Sequence, residues 1–189
     1  VLNWVDKVPA HFKFCPKMSR YLTHMKKLNE PEEPLQRFFE VFSHAKKYLG
    51  PVLIQLPPSL KYNEEVARNF FEVLKHRYHT YSFALEVRHT SWMEQPAIKL
   101  LEEYDIAFVI SQSGVNFPYA EFVTSKNIYI RFHGPQELYA SLYSEETMKE
   151  YGRKIKKWAK AGHDVWAFFN NDWYTYGIRN AKQLIEFTK

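Results

Sequence analysis

Six short apolar runs punctuate the chain: "FKFCP" (12–16), "PVLIQLP" (51–57), "SFALEV" (82–87), "IAFVI" (106–110), "IYIRFHG" (128–134) and "DVWAFF" (164–169). Each has the length of a strand and is bounded by turn residues or a polar cluster, the pattern of strands buried on both faces. Between the runs, apolar positions recur at helical spacing. Glu32, Glu33 and Pro34 open a helix that Gly50 closes, with Leu35, Phe38, Phe39, Phe42, Ala45 and Leu49 along it. Asn63 caps a helix from Glu64 to Tyr78 that carries Val66, Phe70, Phe71 and Leu74. A third helix runs from Gln95 to Tyr104. Ser144 caps a long one through Met148, Tyr151, Ile155 and Trp158 that ends near Gly162, and a last one covers Tyr176 to Phe187. The link 111–127 shows no clear period.

Strands alternating with helices imply an α/β fold, a parallel sheet covered by helices. Two architectures fit that pattern, an open doubly wound sheet and a (β/α)8 barrel. A barrel needs about 250 residues, or roughly 31 per unit. Here 189 residues carry six units at nearly that spacing. The expectation is a TIM-type (β/α)8 barrel, a single domain over 1–189 that lacks about two N-terminal βα units. The start fits this: there is no initiator Met, and Val1, Leu2, Val5 and Val8 read as the end of an amphipathic helix already in progress. No internal repeat, low-complexity segment or linker marks a domain boundary.

In either architecture ligands meet the carboxyl ends of the parallel strands. Nearly every run ends in polar or charged side chains. Lys17, Ser19, Arg20, Tyr21 and His24 follow the first; Gln55 lies in the second, before Pro57-Pro58. Glu86, Arg88, His89 and Trp92 close the third, and Ser111 and Gln112 the fourth. Arg131 and His133 lie in the fifth; Asn170, Asn171 and Asp172 follow the sixth. Gln55, Glu86 and Arg131 have apolar neighbours on both sides, and a buried Glu or Arg is costly unless paired. One reading of the set is therefore a ring of mutually paired charges. The other is a ligand site, since charges converging on one face of an α/β fold are the usual active-site constellation.

The chemistry of the set is mixed. Arginine forks suit a carboxylate or phosphate. Glu86 could serve as acid, as base or as a clamp on Arg131. Glu86 with Asp172 is the one obvious carboxylate pair of the kind a glycosidase needs. His133, Glu86 and Asp172 reach the ligand count of a divalent metal, but their spacing does not demand one, and no metal site is expected. Lys17 reads as an anion-binding charge rather than a Schiff-base lysine. The dinucleotide, P-loop, zincin, C-x-x-C and nucleophile-elbow signatures are absent, so no cofactor is specified.

Composition adds modest constraints. With 46% hydrophobic and 17% aromatic residues the chain builds a sizeable core. The net charge of +5 suits anionic ligands, nucleic acid included. The basic stretch "KEYGRKIKKWAK" (149–160) alternates with helically spaced apolar positions and so reads as a solvated helix face. The single Cys15 excludes an intrachain disulfide and a cysteine metal cluster. No membrane span or signal peptide is visible, and a cytoplasmic location is the simplest expectation. The oligomeric state is not specified.

Five stretches, in order, resemble the YecE-like family, a bacterial and archaeal domain of unknown function: "KMSRYLTHMKKL" (17–28), "GPVLIQLPPSLKYN" (50–63), "LEVRHTSW" (85–92), "YIRFHG" (129–134) and "FFNNDW" with "RNAKQL" (168–184). The resemblance implies a TIM-type barrel, with a glycine-containing strand and a strand with a Glu-x-Asn pattern ahead of Val1. It implies a shared polar set at the barrel mouth: Lys17, Arg20, His24, Gln55, Glu86, Arg88, His89, Arg131, His133, Asn171 and Asp172. Pro16 departs from the family pattern, where an aliphatic residue is expected, and so does Thr175, where a small residue is usual.

The leading expectation is a barrel enzyme of unassigned reaction acting on a small anionic or sugar/polyol-phosphate-like ligand at the carboxyl-end mouth. Arg88 and Arg131 bind the anion, helped by Lys17, Arg20, His24 and Gln55. Glu86 and His133 form the acid/base pair, and Asn171 and Asp172 orient ligand or water. The alternatives are a nucleic-acid-associated protein with a basic mouth and a non-catalytic interaction domain.

Overall fold

The computed structural model describes residues 2–189; Val1, which the sequence places in an opening helix, lies outside the described residues. The chain divides into two compact units at Ile106/Ala107. In the first, helix α1 (Leu2–Val5) is followed by α2 (Glu32–Phe42), β1 (Val52–Gln55), α3 (Glu64–Tyr78), β2 (Phe83–Glu86) and α4 (Gln95–Glu103). Strand β3 (Ile106–Gln112) starts at the division. The second unit adds β4 (Asn127–Phe132), α5 (Glu145–Lys160), β5 (Asp164–Phe169) and α6 (Tyr176–Thr188). The helix that Gly50 was expected to close is α2 continued by a 3-10 stretch, Ser43–Tyr48. Caps fall where the sequence puts them. Asn63 Oδ1 accepts the Val66 N–H at 3.0 Å, and Ser144 Oγ accepts the Thr147 N–H at 3.2 Å.

The expectation of a TIM-type (β/α)8 barrel short of two units is corrected. Among the described residues there are five strands, and the fold is α/β with parallel pairing rather than an eight-stranded barrel. In the first unit β1 pairs β2 in parallel from Val52↔Phe83 to Gln55↔Glu86. In the second, β3 pairs β4 (Val109↔Tyr129 to Gln112↔Phe132) and β4 pairs β5 (Asn127↔Asp164 to Phe132↔Phe169). The first run, "FKFCP", is not a strand. The run and the Lys17 that follows it touch β1 and its lead-in through two isolated parallel bridges, Phe14↔Leu49 and Lys17↔Leu53. Pro16 has no N–H for a ladder; only its carbonyl is used, accepting the Leu53 N–H at 2.9 Å.

In the second unit Ile110, Ile128, Ile130 and Phe132 pack against Met148 and Tyr151 of α5, Leu184 of α6 and Tyr143. Phe132 stacks on Phe169 at 4.6 Å. Helix α5 meets α6 at Gly152, where an added Cβ would stand 2.7 Å from Phe187 Cβ and 3.1 Å from its carbonyl oxygen. Gly152→Ala is therefore expected to destabilise by about 1–3 kcal/mol, overpacking outweighing the ~1 kcal/mol helix propensity gained. A lowered thermal midpoint checks this; a raised one would show that α6 yields.

Candidate functional site

The residues singled out from the sequence fall into two groups, one in each unit. In the first unit they gather at the carboxyl ends of β1 and β2. Lys17 leaves its bridge to Leu53 and donates from Nζ to Gln55 Oε1 at 2.7 Å. Gln55 and Glu86 are partners across the β1–β2 ladder, so their side chains share one face. Glu86 is fully buried, and its Oε1 accepts from Arg88 Nη2 at 2.7 Å. Arg88 is buried too. Two residues apart on extended chain, the pair points the same way.

After Lys17 the chain makes a π-helical turn, Tyr21–Met25, which exposes Arg20 and Tyr21 and half-buries His24. Such turns occur often at functional sites. Left-handed backbone at Lys27 (φ 51°), Leu28 (φ 71°) and Glu30 (φ 43°) follows at once, a run of non-glycine strain. His24 is held by Thr23: Oγ1 stands 2.8 Å from Nδ1 and donates its own proton to the Ser19 carbonyl at 3.1 Å. With that proton committed, the imidazole donates from Nδ1, which leaves Nε2 as the basic nitrogen of neutral His24. Burial lowers the proton affinity of His24, and the charges of Arg20 and Lys17 lower it further.

Two other reactive residues of this unit are committed elsewhere. His89 Nδ1 takes the Ser91 N–H at 3.2 Å and lies 2.9 Å from Ser91 Oγ, capping the 3-10 turn Thr90–Met93. Ser91 Oγ in turn accepts the Tyr62 N–H at 2.8 Å. Burial pushes the Cys15 thiol up to about 12, so it is no nucleophile at neutral pH.

In the second unit Arg131 is half-buried near the end of β4, with Ser111 and Phe168 as its ladder partners. His133 follows it, buried, with its ring edge-on to Phe117 and Tyr139 at 5.4 and 5.8 Å. Asn170 continues the ladder through its N–H, which bonds the Phe132 carbonyl at 2.8 Å. Asn171 is fully buried; Nδ2 donates to the Ser141 carbonyl and to Asn180 Oδ1, each at 3.0 Å. Its Oδ1 is buried with no hydrogen-bond partner. Asp172 is exposed. The turn after β5 thus splits its three polar residues between ladder, core and solvent.

Asn180 was not singled out by the sequence, although it stands in "RNAKQL". Its Oδ1 accepts the Tyr143 N–H at 3.1 Å, and its Nδ2 donates to the Tyr143 carbonyl and Gln183 Oε1 at 3.0 Å each. Tyr143 in turn accepts the Gly134 N–H and donates to the Gln112 carbonyl, both at 2.8 Å. An Asn inside an amphipathic helix, on the face that packs, was the available signal.

Among the described residues no three His, Cys, Asp or Glu side chains cluster to hold a metal ion, and His133, Glu86 and Asp172 form no such group. No helix of the described residues is long and apolar enough to cross a membrane.

The family model described as "Protein of unknown function DUF72" matches residues 1–189. A crystal structure of a DUF72 family protein from Thermotoga maritima MSB8 is similar, with 27% identity and a TM-score of 0.85 over 98% of this chain and 76% of that one. Two crystal structures of a DUF72 family protein from Enterococcus faecalis V583 are 20% and 22% identical, with TM-scores of 0.81 and 0.79. They cover 98% and 97% of this chain and 78% and 81% of theirs, a likeness of fold alone. No curated protein matches the chain. A model matched from end to end decides membership: this chain belongs to the DUF72 family, the family whose YecE-like motifs its sequence carries.

Proposed function

We propose that the carboxyl ends of β1 and β2 bind a small anionic ligand carrying a carboxylate or phosphate group, and that His24 is the group that exchanges a proton with it. The observation that carries this reading is the convergence of Lys17, Arg20 and His24 around one strained π-helical turn, next to the Gln55–Glu86 ladder position. Lys17 and Arg20 supply the charge for the anion. Glu86 acts as a positioning residue: fully buried and bonded to Arg88, it holds the guanidinium in place. An acid/base role for Glu86 would require that bond to open, whereas His24 presents Nε2 without rearrangement. Arg131, His133, Asn171 and Asp172 stay candidates for ligand contacts in the second unit, where the unpartnered Asn171 Oδ1 offers an acceptor.

Sulfate is a suitable probe because its charge does not change near neutral pH. Calorimetric titration is expected to give binding that Lys17→Met and Arg20→Met each weaken by roughly tenfold, the loss of one charge-assisted contact. Affinity is expected to rise as pH falls from about 7 to 5, as His24, neutral at the upper end, takes its proton beside the anion. No binding, or binding insensitive to both variants, would sink the reading. Binding of single-stranded nucleic acid that is lost steeply with salt, with no binding of sulfate, would favour the nucleic-acid alternative.

A further inference from the structure

Away from the strand ends that carry the candidate site, the first unit holds a hollow of about 220 Å³, where α3 and α4 finish and the chain turns into β2 and β3. Its floor is apolar: Phe71, Leu74, Phe83 and Ile106 line it, and all four are buried. The turn after α4 is short because Asp105 takes left-handed backbone (φ 52°), which leads from Tyr104 straight into Ile106. Every lining residue falls within 71–106, one continuous stretch, so the walls need no other segment of chain.

The rim is charged, and most of its charges are already engaged. Arg68 bridges Glu64 at 3.1 Å and Glu103 at 2.9 Å, which ties α3 to α4 and partners the Glu103 carboxylate at the rim. The Tyr104 hydroxyl stands 3.4 Å from Glu72 Oε1. Asp105 is engaged within the protein as well. Lys75 is different. It is exposed, and among the described residues it has no carboxylate partner; its Nζ stands 5.1 Å from the centroid of the Tyr104 ring. His79, also exposed, lies on the same rim.

We propose that this hollow binds a small aromatic carboxylate, its ring against Phe71, Leu74 and Tyr104 and its carboxylate on Lys75, at a place distinct from the carboxyl-end site. Size agrees: an apolar cavity of about 150 Å³ takes benzene, and the volume beyond that accommodates a carboxylate. The ring displaces water from apolar surface and extends the Phe71–Tyr104 pair, whose centroids are 5.8 Å apart. The carboxylate gives Lys75 the partner it lacks, in a charge-assisted hydrogen bond. Both halves of the ligand are needed. An uncharged ring leaves the lysine unpaired, and a carboxylate without a ring leaves the floor wet.

Calorimetric titration with benzoate tests this, run beside acetate and benzyl alcohol, which lack the ring and the charge respectively. Benzoate is expected to bind at least about tenfold more tightly than either. Lys75→Gln is expected to weaken benzoate by about tenfold; the side chain is exposed, so the variant keeps its fold. Lys17→Met is expected to leave benzoate affinity unchanged, because Lys17 belongs to the other site. No binding of benzoate overturns the proposal, as does binding that acetate matches or that Lys75→Gln does not weaken. Benzoate binding that Lys17→Met abolishes overturns it too, because the anion would then sit at the carboxyl ends of β1 and β2.

Discussion

Glu86→Ala is expected to lower stability by about 3–5 kcal/mol, which for a chain of this length is a fall of roughly 10 °C in the thermal midpoint. The cause is the guanidinium it leaves behind. Arg88 and Glu86 are both buried and meet at 2.7 Å; without the carboxylate a positive charge stays buried and loses that partner. Replacing both residues with apolar ones of similar size, Glu86→Leu with Arg88→Met, is expected to recover much of the loss, since neither charge then needs desolvating. Urea unfolding of the single and double variants checks both statements. A Glu86→Ala chain as stable as the parent would show that the pair does not hold this end of β2.

Asn180→Ala is the second large effect, expected at about 3 kcal/mol or more. The side chain is fully buried and makes four hydrogen bonds that tie together Tyr143, Asn171 and Gln183. Each bond contributes about 1 kcal/mol net, and the Tyr143 N–H and C=O are left in the core without this partner. Asn180→Asp separates the contributions. It keeps an acceptor for the Tyr143 N–H and loses the donor to its carbonyl, so an intermediate loss is expected. The Tyr143 amide is the reporter: its hydrogen exchange should speed up in both variants, and an unchanged rate would mean that the network does not depend on Asn180.

These two sites show where the sequence is legible. Helix positions follow from local chemistry, because Asn63 and Ser144 sit three residues before the N–H groups they cap. Four of the six apolar runs hold strands of nearly the expected bounds, and "IAFVI" extends two residues further, to Gln112. The run "FKFCP" misleads because composition reads as strand while Pro16 withholds one ladder donor. The barrel count fails with it: spacing per unit does not determine how many strands form. Within the site, residue types at strand ends were legible. Their partners were not, since the Asn171–Asn180 and Tyr143–Asn180 bonds join residues nine and 37 positions apart. The π turn around His24 was hidden as well, because no apolar periodicity marks it.

The candidate site rests on His24 lying in the field of Lys17 and Arg20, and one titration tests that directly. The His24 ring is followed by NMR from about pH 8 to pH 5, with and without saturating sulfate. Without sulfate the midpoint is expected below the ordinary histidine value, through burial and the two neighbouring cations. Its sign for stability follows: between the ordinary value and the depressed one the unfolded chain binds the extra proton, so stability rises with pH across that window and is lost as pH is lowered through it. With sulfate bound beside the ring, the midpoint is expected to move up, by the same factor that tightens sulfate binding on protonation. A midpoint that sulfate leaves in place, while sulfate demonstrably binds, would put the anion elsewhere and contradict the assignment of this turn as the site.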